Sequence, residues 1–119
     1  MMKDDLGQFL PLSAASLQIL LALAAQDMHG YAIMQEAAHQ SGGRYKLGPG
    51  TLYDNLQRMT RHGLVGELRQ RARGEDRRRR YYRLSSLGRR VLSAEIERLE
   101  SVLREGRIRL GKAQPASTS

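Results

Sequence analysis

Of the twelve residues from Ala14 to Ala25, only Ser16 and Gln18 are polar. Leu17, Ile19, Leu20, Leu21, Leu23 and Ala24 leave a helix here apolar nearly all round, and such a helix is buried on most of its faces. The run is far short of the ~20 apolar residues that a membrane span needs. It therefore predicts a central helix that the rest of the chain must cover. Ser13 is a ready N-cap, because its hydroxyl can accept from an orphan N–H two or three residues on. Leu12 and Leu17 sit at staple positions around it.

The covering elements follow in order. Residues 1–11 read as a flexible N-terminal segment up to Phe9 and Leu10. Gln26 to Gly30 reads as a turn. A second helix is predicted over Gly30 to Gln40, with Ile33 and Ala37 inward, and Ser41-Gly42-Gly43 stops it. Gly48-Pro49-Gly50 opens a third helix over Thr51 to Arg61, since Pro is tolerated where its missing N–H would be unpaired anyway. Leu52, Leu56 and Met59 form its buried stripe. Thr51, Asp54, Asn55, Gln57, Arg58 and Arg61 are read onto its other faces.

Leu64 to Arg69 and Arg79 to Leu84 read as two strands of a hairpin, with a polar tip between them. Ser85-Ser86 caps a fourth helix over Leu87 to Leu110. Its Leu92, Ile96, Leu99 and Leu103 keep a heptad-like seam, interrupted at Gly106. The fold class is thus mainly α with a small β-hairpin. Its expected parts are a helical domain closed by the hairpin over 12–84, a long seam-bearing helix over 85–110 and a disordered tail over 111–119.

Charge decides what such a layout is for. The 119 residues carry a formal net charge of +8, and so large a basic excess in a short chain points to a polyanion partner. Much of it is concentrated in the hairpin, at Arg69, Arg71, Arg73, Arg77, Arg78, Arg79, Arg80 and Arg83, offset by Glu67, Glu75 and Asp76. Arg forks onto phosphate and enters a narrow minor groove. A helix-turn-helix puts its second helix in the major groove, and the third helix here carries Thr, Tyr, Asn, Gln and Arg side chains able to donate and accept at base edges. Backbone amides at its start, opened by Gly48 and Gly50, offer a phosphate site.

Four runs in sequence now resemble a known family: Met28-His29-Gly30-Tyr31, Gly48-Pro49-Gly50-Thr51-Leu52-Tyr53, Gly63-Leu64-Val65 and Arg80-Tyr81-Tyr82-Arg83-Leu84. Their order and spacing are similar to those of PadR-type transcriptional regulators, over about residues 10 to 105. The resemblance implies a winged helix-turn-helix, a short C-terminal dimerisation helix and repression as a homodimer on a palindromic operator. It implies DNA contacts by Tyr31, Gly50, Thr51 and Tyr53, the last on the phosphate backbone, and wing contacts by Arg77, Arg78, Arg79 and Arg80. Asn55 and Arg58 are expected to read bases. The chain departs from the family pattern at Gly48, where Ser is common, at Asp54, where a basic or small residue is usual, and at Arg78, where Pro is frequent.

The dimer is expected on physical grounds too, because Leu92, Ile96, Leu99 and Leu103 would otherwise expose an apolar stripe. Leu87 and Val91 are expected to pack inward. The resemblance also implies release by a small-molecule effector, although the chain has no Trp for an indole sandwich. Nothing points to catalysis or a cofactor. His29, His39 and His62 lie in separate segments without ligand spacing. There is no Cys, which suits the cytoplasm, and residues 1–5 lack a secretory leader pattern. Two rival readings stay open: a non-specific architectural or RNA-binding basic protein, and a winged-helix module that binds an acidic protein.

Overall fold

The computed structural model describes residues 5–69 and 80–111. A short 3-10 helix at Leu6–Phe9 leads into α1 (Ala14–Ala25), β1 (Met28–His29), α2 (Gly30–Gln40), α3 (Pro49–Arg61), β2 (Val65–Arg69), β3 (Arg80–Leu84) and α4 (Ser86–Arg109). The hairpin tip, with Arg71, Arg73, Arg77, Arg78 and Arg79, lies outside the described residues, as do residues 112–119 of the tail.

The apolar helix takes the place its sequence requires. α1 touches α2, α3, α4 and β3, and Ile19, Leu20 and Ala22 are fully buried. Ile33 and Ala37 of α2, Leu52, Leu56 and Met59 of α3, Leu64 just ahead of β2, Val65, Tyr82 and Leu84 of the sheet, and Val91 of α4 close around it. Ser13 caps α1 by accepting from the Ser16 N–H at 3.1 Å, and Ser85 caps α4 by accepting from the Gly88 N–H at 2.9 Å.

The turn from α3 into the sheet is a Schellman motif. The Leu64 N–H reaches the Met59 carbonyl at 2.9 Å and the Gly63 N–H reaches Thr60 at 3.1 Å. This closure needs the left-handed conformation that Gly63 adopts at φ 78°. It aims the chain directly from the end of α3 into β2.

Three features differ from the sequence expectation. The sheet has three antiparallel strands in the order β1-β3-β2, not two. Met28 pairs with Tyr82 and His29 with Tyr81, so the segment read as a turn is an edge strand too short to show any period. The segment before α1 is not wholly loose: Leu6, Phe9 and Leu10 pack on the core, and Phe9 meets His62 edge-on at 6.0 Å.

The third difference concerns α4. Leu92, expected on the partner-facing seam, is 7% exposed and belongs to the domain's own core. One turn on, Glu95 is buried at 1%. Arg98 donates to its two carboxylate oxygens at 2.7 and 2.9 Å, and the Leu12 N–H reaches it at 3.3 Å. The Arg98 hydrogen bonds hold the Glu95 carboxyl below its ordinary value against the opposing effect of burial, with the Leu12 N–H assisting. This pair clamps the segment ahead of α1 to α4.

Candidate nucleic-acid interface

α3 begins at Pro49, ahead of which Gly48 is an N-cap without a side-chain hydrogen bond. Its first-turn amides therefore lack a capping hydroxyl. Past that turn the helix divides into two sides. Leu52, Asn55, Leu56 and Met59 are buried, while Thr51, Tyr53, Asp54, Gln57, Arg58 and Arg61 are exposed. The apolar stripe fixes the roll of the helix, so the polar stripe has to face solvent.

Asn55 is the exception to the expected division. Read from sequence as a base reader, it is 6% exposed and turned toward α1. Its Oδ1 accepts from the Ser16 hydroxyl at 3.0 Å and from Arg58 Nη2 at 2.6 Å, and its Nδ2 donates to the Thr51 carbonyl at 2.8 Å. A buried amide must satisfy its donors and acceptors, and here all three partners are protein groups. Asn55 thus locks α3 to α1 and draws the Arg58 guanidinium toward itself. The stripe opposite Leu52, Leu56 and Met59 instead presents Asp54, Gln57 and Arg61. Sequence reasoning placed Gln57 and Arg61 on the surface but did not select them; their i, i+3, i+7 spacing from Asp54 is the signal that singles them out.

Two tyrosines are exposed, Tyr31 on α2 at 61% and Tyr53 on α3 at 48%. The Tyr53 ring lies over the start of α2, where a Cβ on Gly30 would stand 2.8 Å from the ring carbon bearing the hydroxyl. Gly30 is therefore the seat of the Tyr53 ring. The missing side chain, not a special dihedral angle, is what matters at this position.

Beside α3 an open groove of about 360 Å³ separates the helix from the sheet, with Tyr53, Gln57, Arg61, Glu67 and Arg80 on its walls. Tyr82 lines its inner end, and burial pushes the Tyr82 hydroxyl up, so it stays a neutral phenol. Arg80 is exposed and pairs loosely with Glu67 at 3.3 Å. Arg83 is committed elsewhere: it forks onto Asp27 at 2.9 and 3.2 Å, tying β3 to the segment before β1. Arg77, Arg78 and Arg79 lie outside the described residues. Among the described residues no cluster of three or more His, Asp or Glu side chains is arranged to hold a metal, and no helix is long and apolar enough to cross a membrane.

A helix with a buried apolar stripe and an exposed polar one, preceded by two helices and followed by a β-ribbon, defines a winged helix-turn-helix. Known proteins identify the family. The Transcriptional regulator PadR-like family matches residues 19–94. A transcriptional regulator of Mycobacterium tuberculosis is 34% identical over 93 residues, spanning 78% of this chain and 82% of its own length. This chain belongs to the PadR-like family of transcriptional regulators.

Solved structures agree on the fold. A PadR family transcription regulator from Clostridium difficile superposes with a TM-score of 0.71 at 22% identity, over 82% of this chain and 99% of that one. Bacillus subtilis PadR, solved in complex with operator DNA, superposes with a TM-score of 0.63 at 20% identity, over 72% of this chain and 48% of that one.

Proposed function

We propose that this regulator acts in the cytoplasm as a homodimer that binds a palindromic operator in double-stranded DNA and represses transcription from it. The observation that carries the reading is the exposed polar stripe of α3, with Tyr53, Gln57 and Arg61 facing the ribbon's Arg80 across one open groove. α3 enters the major groove. Thr51, the amide of Gly50, Tyr31 and Tyr53 hold the phosphate backbone, and Arg80 leads the wing toward an adjacent backbone or minor groove. Repression and release by a small-molecule effector rest on the family resemblance alone.

The dimer rests on α4. Beyond Glu95 the helix leaves the core, and Ile96, Val102, Leu103, Ile108 and Leu110 are exposed, Leu110 at 74%. With Leu99 half-buried, Ile96, Leu99 and Leu103 form a stripe that a second copy would cover. Replacing Leu99 and Leu103 together by Glu is expected to give monomers in sedimentation. Affinity for a full palindrome should then fall on the order of 100-fold, because the two half-sites no longer bind as one. A dimer that survives both charges would rule out this stripe as the interface.

Tyr53→Ala is expected to weaken binding to all duplexes alike, roughly 10-fold, as loss of a backbone contact does. Gly30→Ala should act in the same direction by pushing the Tyr53 ring off its seat, and should add nothing when combined with Tyr53→Ala. Additive effects in an electrophoretic titration would refute that coupling.

The test of the function is selection from a random duplex pool at low and near-physiological salt. A palindrome with half-sites about one helical turn apart supports the reading. Salt-sensitive binding that enriches nothing would reduce the protein to a non-specific basic binder.

A further inference from the structure

Asp54 is the acid at the centre of a face that otherwise suits a polyanion. It is exposed on the stripe it shares with Gln57 and Arg61. An aspartate here would ordinarily be neutralised by the arginine four residues on, the favourable helical pairing. That arginine is Arg58, and its guanidinium is held by the buried Asn55 Oδ1 at 2.6 Å. Asn55 is itself fixed by Ser16 and by the Thr51 carbonyl. Asp54 makes no hydrogen bond or ion pair in the described structure. The fold therefore keeps a bare carboxylate pointed outward from the recognition helix.

An ionised carboxylate only accepts hydrogen bonds. Against phosphate it repels, so Asp54 lowers affinity for DNA in general. In the major groove the donors are the exocyclic amines of the bases, and the pairing that suits a short carboxylate is with cytosine N4. We propose that Asp54 is a specificity-determining residue that selects a cytosine in each operator half-site, by accepting from its N4 amine and by repelling duplexes that offer only acceptors at that position. The proposal rests on the reading of α3 as the major-groove helix. Asn55 and Ser16 are positioning residues for it, since they withhold Arg58 from the carboxylate.

The experiment is the same duplex selection run in parallel on the wild-type protein, Asp54→Ala and Asp54→Asn, with melting temperatures as a check that these surface substitutions leave the fold intact. Wild type is expected to enrich cytosine at one symmetric position per half-site. Asp54→Ala should lose the preference at that position alone, a change of roughly 10- to 100-fold in discrimination, while binding non-specific duplex more tightly. Asp54→Asn should move the preference to adenine, whose N6 and N7 match an amide. If wild type enriches a palindrome but Asp54→Ala keeps every base preference, Asp54 does not read sequence and the inference falls while the function stands. If the altered position prefers a base other than cytosine, the inference also falls. If wild type enriches nothing, both fall.

Discussion

Gly88→Ala is expected to lower stability by about 3 kcal/mol, near the upper end for overpacking a core. Gly88 is in the first turn of α4 and buried. A Cβ there would overlap the Leu64 carbonyl oxygen and stand 2.7 Å from a methyl group of Leu84. The Leu64 carbonyl is not free to move, because it accepts from the Ser85 N–H at 3.0 Å and follows the Schellman closure of α3. An added methyl must therefore push α4 away from the β2 and β3 strands, opening the core at Val91 and Leu92. For a domain of this size the melting temperature should fall by more than about 10 °C. Gly106 in the same helix has open space around it, and alanine there should stabilise by up to about 1 kcal/mol through helix propensity. Thermal denaturation of the two variants side by side checks the assignment. A Gly88→Ala protein that melts like wild type would mean that α4 does not approach the strands this closely.

Arg98→Ala is expected to lower stability at neutral pH. Breaking a buried ion pair leaves the other charge uncompensated, and Glu95 would keep only the Leu12 N–H. Arg98 is itself 37% exposed, so solvent screens part of the pair. The pH dependence separates this cause from lost packing. In the wild-type protein the Glu95 carboxyl sits below its ordinary value of 4.5. Its contribution to stability is therefore complete above that value and is lost as pH falls through the folded value. In Arg98→Ala the guanidinium hydrogen bonds are gone, and burial, which outweighs the remaining Leu12 N–H, pushes the carboxyl up. Protonation then relieves the variant, so the stability gap between the two proteins should narrow as pH drops through the carboxylate range. A gap that stays constant from pH 7 to pH 4 would assign the loss to packing of the Arg98 stem.

These two positions bear on function through α4. Gly88 and Glu95 anchor its first half to the winged domain, and its second half carries the exposed stripe assigned to the partner. The proposed spacing of two recognition helices thus depends on how rigidly the first half is held.

The sequence by itself determined the elements and their order. Ala14 to Ala25 had to be central because nearly every face of it is apolar. Leu52, Leu56 and Met59 set the roll of α3, and Gly48-Pro49 and Gly63 mark its ends. These signals are local, since period, capping and turn chemistry act within a few residues. The tertiary structure alone decided which residues at the edges of those stripes turn inward. Asn55 lies next to the apolar stripe of α3, and it is buried because Ser16, 39 residues earlier, offers it a hydroxyl. Leu92 fits a heptad seam equally well from sequence, but the core below it takes it first. Glu95 is buried because Arg98 and the Leu12 amide meet it there, one of them 83 residues away along the chain. β1 exists only because Tyr81 and Tyr82 pair with it. In each case at least one partner is distant in sequence, and no local pattern carries that information.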